Sequence, residues 1–345
     1  MVAKIEAEVA GAHAESWLKV LPSGLYCAPG GFYIDPTGPV DRAVITHGHS
    51  DHARAGHGAV LTTAETASIM ALRYGEGFAA TVQRLGYGRS IRIGEVAVTL
   101  LPAGHILGSA QVLLEYGGSR AVISGDYKRR PDPTCPAFTP VPCDVFVTEA
   151  TFGLPVFRHP PDRMELDKLL QSREIFPERC HLVGVYALGK CQRVMALLRA
   201  AGYDRPIYLH GALMALTGLY TQYGVDLGRY NAIAGMTPNQ LKGEIILCPP
   251  SALTDRWSRR LPDPVSAAAS GWMRVRARAR QKGAELPLII SDHADWDELL
   301  QTVEDVDAPE IWITHGREEG LLHALTRQGR RARVLSLIGR EEEEN

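Results

Sequence analysis

This 345-residue sequence predicts an α/β fold built from layered sheets, on three observations. Short apolar runs with the length and β-branching of buried strands recur along the chain. Amphipathic stretches with helical spacing lie between them, and the runs stop again and again at a His, Asp or Glu. Buried strands that deliver ionisable residues at their ends describe a sheet whose rim carries a site, because binding groups gather where a rigid scaffold hands over to loops.

In chain order, Met1 to about Ser16 is rich in Ala and Glu without a core pattern, and is expected as a loosely docked extension. The run Arg42–Thr46 stops at His47, Val98–Leu101 is followed by His105, and Ala121–Ser124 stops at Gly125-Asp126. Asp144–Thr148 stops at Glu149, Pro287–Asp292 at His293, and Glu310–Thr314 at His315. Helices are expected over Thr63–Tyr74, Met164–Ile175, Gln192–Ala201 and Trp296–Val303. The middle, residues 155–284, reads as a separate α/β unit with strands at His181–Tyr186, Pro206–His210 and Glu244–Cys248, bracketed by the joints Pro160-Pro161 and Pro249-Pro250. Residues 341–345 form an acidic tail.

With 45% hydrophobic and 22% charged residues, the chain can bury a sizeable core and is neither disordered nor fibrous. Lys and Arg (37) nearly balance Asp and Glu (39), which excludes a protein that holds nucleic acid by bulk charge; a polyanion would have to be gripped locally. No window approaches the roughly 18 to 20 apolar residues of a membrane span, and no basic-then-apolar leader opens the chain, so a soluble, cytoplasmic protein without a membrane partner is expected. Cys27, Cys135, Cys143, Cys180, Cys191 and Cys248 form no CxxC pair and are expected as reduced, mostly core thiols.

The most informative stretch is His47-Gly-His49-Ser-Asp51-His52, four ligand-type side chains in six residues. On an extended segment His47 and His49 point the same way. If the chain then turns into a helix, Asp51 and His52 can face a second ion beside the first. Imidazole and carboxylate suit Zn²⁺, and a more oxygen-rich set admits Mn²⁺ or Fe. Six residues cannot complete two coordination spheres, and distant strand ends supply the rest. His105 could close the first site with His47 and His49, Asp126 could bridge two ions, and His315 could join Asp51 and His52. The competing reading, satisfied polar residues in strand-end turns, needs a separate explanation for each of seven side chains. The other histidines read as packing or surface residues, with His210 an outside candidate.

Together with Gly104-His105, Ser124-Gly125-Asp126 and Thr314-His315-Gly316, this stretch resembles the metallo-β-lactamase fold in order, spacing and strand context. Thr148-Glu149-Ala150-Thr151-Phe152-Gly153, Gly189-Lys190-Cys191-Gln192 and Ser291-Asp292-His293-Ala294-Asp295 look like its β-CASP nuclease branch. Within that branch the short length and the Gly30-Gly31-Phe32-Tyr33-Ile34-Asp35 start are most similar to bacterial ligase-associated DNA exonucleases, relatives of the DNA cross-link repair nucleases. The resemblance implies an αββα sandwich in two parts, residues 17–154 and 285–340, with the inserted α/β β-CASP domain at 155–284. It implies two divalent ions (Zn or Mn) on His47, His49, Asp51, His52, His105, Asp126 and His315, with Asp51 also catalytic, and Asp35 as a supporting carboxylate behind them. Glu149 would orient His293, and His293 would protonate the leaving alkoxide. It further implies hydrolysis of preferably single-stranded DNA, 5′→3′, in DNA repair, and association with an ATP-dependent DNA ligase and a helicase.

Phosphodiester hydrolysis independently needs an activated water, neutralised phosphate oxygens and a proton for the departing oxygen, which two ions and a non-ligand His supply. Beside this reading stand a nucleic-acid-binding protein without catalysis, which would be expected to have lost ligands, and two catalytic rivals. One is an RNA-processing nuclease of the same branch, which would share His315. The other is a small-molecule metallo-hydrolase, which would need neither the insertion nor a basic patch.

Gly184–Cys191 nearly matches a P-loop, but Cys191 stands where a hydroxyl would hold Mg²⁺. The better reading is a helix N-terminus that, with Lys190, Gln192 and Thr151, holds a phosphate of a nucleic-acid strand. Between Ser251 and Ile290 eight basic residues face three acidic ones. Arg274, Arg276, Arg278 and Arg280 alternate with smaller residues, so an extended segment would align them in a row that tracks a backbone, with Trp257 and Trp272 near enough to stack on bases.

Overall fold

The computed structural model describes residues 12–335. The first sheet runs in chain order: β1 (Leu18–Leu21), β2 (Gly24–Cys27), β3 (Phe32–Ile34), β4 (Arg42–Val44), β5 (His57–Thr62) and β6 (Ala79–Arg84). The first three are antiparallel, and β3 to β6 are parallel. Helix α1 (Ala14–Trp17) precedes the sheet, and α2 (Ala64–Tyr74), capped by Thr63, connects β5 to β6.

The second sheet begins with the antiparallel strands β7 (Ser90–Ile93), β8 (Val96–Pro102), β9 (Ala110–Tyr116) and β10 (Ser119–Ile123), followed by β11 (Val145–Ala150), parallel to β10. The chain then leaves for a third sheet. Its members are β12 (His181–Gly184), β13 (Ile207–Leu209), β14 (Tyr230–Ala232), β15 (Ile245–Cys248), β16 (Val265–Ala269) and β17 (Leu286–Leu288). All pair in parallel, in the order β14-β13-β15-β12-β16-β17. Helices α3 (Asp162–Ile175), α4 (Lys190–Ala200), α5 (Gly211–Gln222) and α6 (Arg276–Gln281) accompany it. After α7 (Trp296–Val306) the chain returns to the second sheet as β18 (Glu310–Gly316), beside β11, and ends through α8 (Glu318–Arg327) in β19 (Arg331–Val334).

The first two sheets pack face to face over Leu25, Ile34, Val44 and Leu61 from one and Val98, Leu100, Val112 and Val145 from the other. Alternate residues turn outward. Ala43 and Val60 of the first sheet meet Ala67 and Met70 of α2, while Phe146 and Ile311 of the second meet Leu299, Val303 and Leu321 of α7 and α8. The layers are therefore αββα, as expected, because each strand alternates faces and both faces are apolar. The third sheet buries Val183, Leu209 and Leu247 under α3, α4 and α5, and this core continues into Ile69 and Ile106 of the sandwich.

Four expectations need correction. Residues 12–16 are docked: the Ala12 N–H donates to the Gly117 carbonyl at 2.9 Å, Ala14 is fully buried, and Trp17 packs edge-on against Tyr116. Ala12 and Ala14 join the core between the sheets, but alanines carry too little apolar bulk to leave a core pattern in a sequence. Residues 1–11 and the acidic tail at 341–345 lie outside the described residues. Pro287–Asp292 is not a sandwich strand. Only Leu286–Leu288 is a strand, and it extends the third sheet beside β16, which carries the inserted unit past residue 284. Pro249-Pro250 is no joint between units, since it opens a turn inside the insertion after β15.

The six cysteines are free, and all but Cys135 are buried. Among the described residues no helix is long and apolar enough to cross a membrane.

Candidate functional site

The strand ends of the sandwich converge on one edge. After β4 the chain is caught by Asp35: the Thr46 N–H and hydroxyl both donate to its carboxylate, at 2.7 and 2.6 Å. Asp35 itself takes a left-handed conformation (φ 42°), which short polar side chains tolerate best. Its Oδ2 also lies 2.8 Å from His52 Nδ1, so the proton of that imidazole belongs on Nδ1 and Nε2 is left facing the cluster.

Ligand-type atoms of His47, His49, His105 and Asp126 lie within 4.8 Å of one another, and so do those of Asp51, His52, Asp126 and His315. The seven side chains singled out in the sequence thus form two groups that share Asp126. His105 Nδ1 donates to the Asp292 carbonyl at 2.8 Å, which leaves Nε2 facing His49 Nδ1 at 3.0 Å. His47 Nε2, His52 Nε2, Asp126 Oδ1 and His315 Nδ1 are buried without a hydrogen-bond partner. Unmet polar atoms cost on the order of 1–3 kcal/mol each. Four of them converging at one place, all imidazole nitrogen or carboxylate oxygen, fit divalent ions of the Zn²⁺ or Mn²⁺ kind.

The electrostatics suit cations. Burial, with the charge of His52, lowers His47 to about 4 against the pull of Asp126. Burial also holds His105 well below its ordinary range. For Asp126 burial works upward, but His52 and His47 outweigh it and keep the carboxylate ionised. Asp51 follows the same pattern and falls to about 2, with His52 the main opponent of burial. His52 is the exception, held well above its ordinary value against burial by Asp126 and Asp51. A bound cation displaces such a proton.

Beside the cluster, His293 Nδ1 sits 3.2 and 3.1 Å from the two oxygens of Glu149, and its ring centroid lies 4.6 Å from that of His105. Glu149 is itself fixed by the Tyr127 N–H at 2.8 Å. Burial disfavours the imidazolium of His293, but the charge and hydrogen bond of Glu149 win and raise it to about 10. Thr151 Oγ1 lies 3.4 Å from the same nitrogen. A cleft of about 270 Å³ opens over these groups, with Tyr186, Leu188 and Leu216 of the inserted unit forming its far wall.

The phosphate-gripping expectations fare differently. Thr151 and Lys190 both border the cleft, but Lys190 is almost wholly buried and its ammonium pairs with Asp292 (Nζ to Oδ1, 2.5 Å). Gln192 is fully buried: it accepts from the Gly189 N–H at 2.9 Å and donates to the Ala187 carbonyl at 3.0 Å, and thus caps α4. The arginine row does not form, because the segment is a 3₁₀ turn (Gly271–Arg274) followed by α6, and helical steps fan Arg274, Arg276 and Arg278 apart. Arg278 instead lies over the Trp272 ring at 4.1 Å, and Arg274 donates to the Val156 carbonyl at 3.3 Å. Trp272 packs on Phe152 and Phe157, and Trp257 meets His210 edge-on. His210 caps α5 and stays outside the cluster.

Sequence reasoning missed Arg73, which lines the cleft and donates to the Gly48 carbonyl at 2.6 Å. It also missed Lys128, a buried amine 3.3 Å from the His293 carbonyl. Neither carries a local sequence signal, since each acts on a distant backbone carbonyl.

No family model matches the chain. A protein of Opitutus terrae named a probable DNA ligase is 30% identical over 319 residues, which cover 91% of this chain and 30% of that protein. An RNase J-like protein of Methanocaldococcus jannaschii is 27% identical over 212 residues, 53% of this chain and 50% of that protein. The cleavage and polyadenylation specificity factor subunit 3 of Dictyostelium discoideum is 29% identical over 155 residues, 41% of this chain and 20% of that protein. The chain thus spans half or less of the length of these relatives. A crystal structure of a protein of unknown function from Enterococcus faecalis superposes with a TM-score of 0.55, covering 86% of this chain and 80% of that one, at 16% identity; the likeness is one of fold.

Proposed function

This chain belongs to the β-CASP nuclease branch of the metallo-β-lactamase fold, and from that premise we propose that it is a cytoplasmic, metal-dependent phosphodiesterase that degrades single-stranded DNA from an end. The observation that carries the reading is the sharing of Asp126 between two four-residue groups, with a Glu149-held imidazole beside them that belongs to neither. His47, His49, His105 and Asp126 would hold one ion, and Asp51, His52, Asp126 and His315 the other. Such a pair, Zn²⁺ or Mn²⁺, supplies an activated water and neutralises the phosphate oxygens. Asp35 keeps His52 turned inward. Glu149 orients His293, whose imidazolium delivers the proton to the departing oxygen. Thr151, which lines the cleft, would contact the phosphate.

DNA is favoured because the likeness that spans 91% of the chain is to a protein named a probable DNA ligase, whereas the likeness to the RNase J-like protein covers 53%. A 5′→3′ direction, a role in DNA repair and association with an ATP-dependent ligase and a helicase follow from the resemblance to ligase-associated exonucleases. The test uses a single-stranded DNA oligonucleotide labelled at either end, with added Mn²⁺ or Zn²⁺, and Asp126→Ala as control. Stepwise products that vanish in the variant are expected, with the 5′ label released first. Intact DNA under both metals, with matched RNA cut internally, would replace this reading with an RNA-processing one.

A further inference from the structure

We propose that Lys190 is a positioning residue of the first metal group: through Asp292, it holds His105 in its ligating orientation. The inference rests on the two-ion reading above and assigns the inserted unit a part in building the site as well as in walling the cleft.

The chain of contacts is short. Lys190 opens α4 and its Nζ meets Asp292 Oδ1 at 2.5 Å, with both side chains buried. The backbone carbonyl of the same Asp292 accepts the Nδ1–H of His105 at 2.8 Å. A ligating imidazole needs its second nitrogen held in this way, since that bond fixes both the tautomer and the ring plane. The peptide that carries this carbonyl is also held within its own loop, where the His293 N–H donates to Ser291 Oγ at 3.0 Å and the Ala294 N–H to the Tyr127 carbonyl at 2.7 Å, but the pair with Lys190 is what ties it to α4. The strand β17 ends at Leu288, so residues 289–292 have left the sheet ladder, and Asp292 is anchored through its side chain.

The packing agrees. Gly189 has φ 87°, and a Cβ there would come within 2.4 Å of Ile106 Cγ2, so the start of α4 lies directly on the loop that carries His105. Helix α4 therefore braces that loop on one side by van der Waals contact and on the other through Asp292. A lysine free to grip phosphate would not be buried on a carboxylate; this one is already neutralised.

The experiment compares Lys190→Met and Lys190→Met/Asp292→Asn with the wild-type chain. Zn²⁺ affinity is read by competition with a chromogenic chelator, thermal unfolding by circular dichroism, and binding of single-stranded DNA to the metal-free protein as a function of salt. Lys190→Met leaves a buried carboxylate unpaired and is expected to lower the melting temperature, which the second substitution restores. In both variants one equivalent of Zn²⁺ is expected to bind about 10- to 100-fold more weakly, the range typical of lost supporting contacts. The salt dependence of DNA binding should stay unchanged. Wild-type Zn²⁺ affinity in the repaired double variant would overturn the proposal and leave Lys190 a purely structural pair. A slope of log affinity against log salt smaller by about one would overturn it in favour of a direct phosphate contact. Failure to cleave DNA would sink the functional reading while the Zn²⁺ comparison still decides this one. A wild-type chain that binds no Zn²⁺ would sink both.

Discussion

The two walls of the cleft bury the same kinds of side chain in opposite states. On the sandwich wall, His47, His52, Asp126 and His315 each present a buried atom without a hydrogen-bond partner. On the side of the inserted unit, at and behind the cleft wall, Lys190 is paired with Asp292, Gln192 is bonded on both sides, and Arg193 bridges Asp132 and Asp162 through its terminal nitrogens, with its Nε unmet. A buried charge is tolerated only when something compensates it. Where the protein supplies the compensation the group is a joint, and where several unmet imidazole and carboxylate atoms converge a ligand is expected; unmet nitrogens that stand apart from such a group, as on His159 and His181, mark histidines that are simply buried. Lys190 shows why residue type alone misleads: a lysine at a helix start reads as an anion site until its carboxylate partner is seen.

The sharpest way to break this contrast is to substitute on each wall in turn. Asp126→Ala removes the carboxylate that both groups share. Hydrolysis should fall by on the order of 10³-fold or more, the equivalent of several kcal/mol of transition-state stabilisation. The bound metal should drop below two equivalents while the protein stays folded; full activity with one ion would contradict the shared role. Arg193→Met, on the other wall, should leave Asp132 and Asp162 uncompensated and cost about 3–5 kcal/mol of stability. Urea unfolding measures it, and the fraction that remains folded should still bind metal.

The legible parts of the molecule were those whose signal is local. His47–His52 lies in six consecutive residues, and Glu149, Asp126 and His315 each end an apolar run, so periodicity alone brought them to one rim. The layered α/β fold followed from apolar runs alternating with amphipathic stretches, and its αββα form from the resemblance. What failed depended on partners far along the chain or on ambiguous spacing. Asp292 is 102 residues from Lys190, and no pattern near either announces the other. Alternating arginines fit a strand by period, but Arg, Ala and Gln are strong helix formers, and residues 276–281 contain no β-branched residue. Pro287–Asp292 has the composition of a strand, yet it supplies only Pro287 and Leu288 to the edge of the third sheet before the backbone turns to serve His105.

A smaller effect sharpens the role of the residue between the walls. His293→Gln removes the imidazole held by Glu149 but none of the seven side chains of the two groups. Turnover should fall about a hundredfold, the lower end of the range for proton transfer by a positioned side chain. Zn²⁺ affinity and substrate KM should stay near wild type. Loss of a metal equivalent instead would move His293 into the ligand set, beside His105 and Asp292.

The smallest effect separates histidines that await a cation from those that are simply buried. His159 lies edge-on to Phe152, which in turn packs on Trp272, and His181 lies in β12. Burial, helped by Lys128 and Arg130, lowers His159 to about 3 although Asp295 opposes it. Burial, helped by Arg173 and Arg179, lowers His181 to about 4. Both folded values lie below the ordinary 6.5, so between these limits the unfolded chain binds more protons than the folded one. Stability from these residues is therefore complete above pH 6.5 and is lost as the pH falls towards 4, at no more than about 1.4 kcal/mol per pH unit for each proton. Melting temperature should decline between pH 7 and 5 in metal-loaded protein, whose cluster histidines are shielded from protons by their ions, and His181→Gln should flatten the decline. A profile that stays level without the substitution would mean that His181 and His159 bind protons as readily folded as unfolded, and the distinction between simply buried and cation-awaiting histidines would fail.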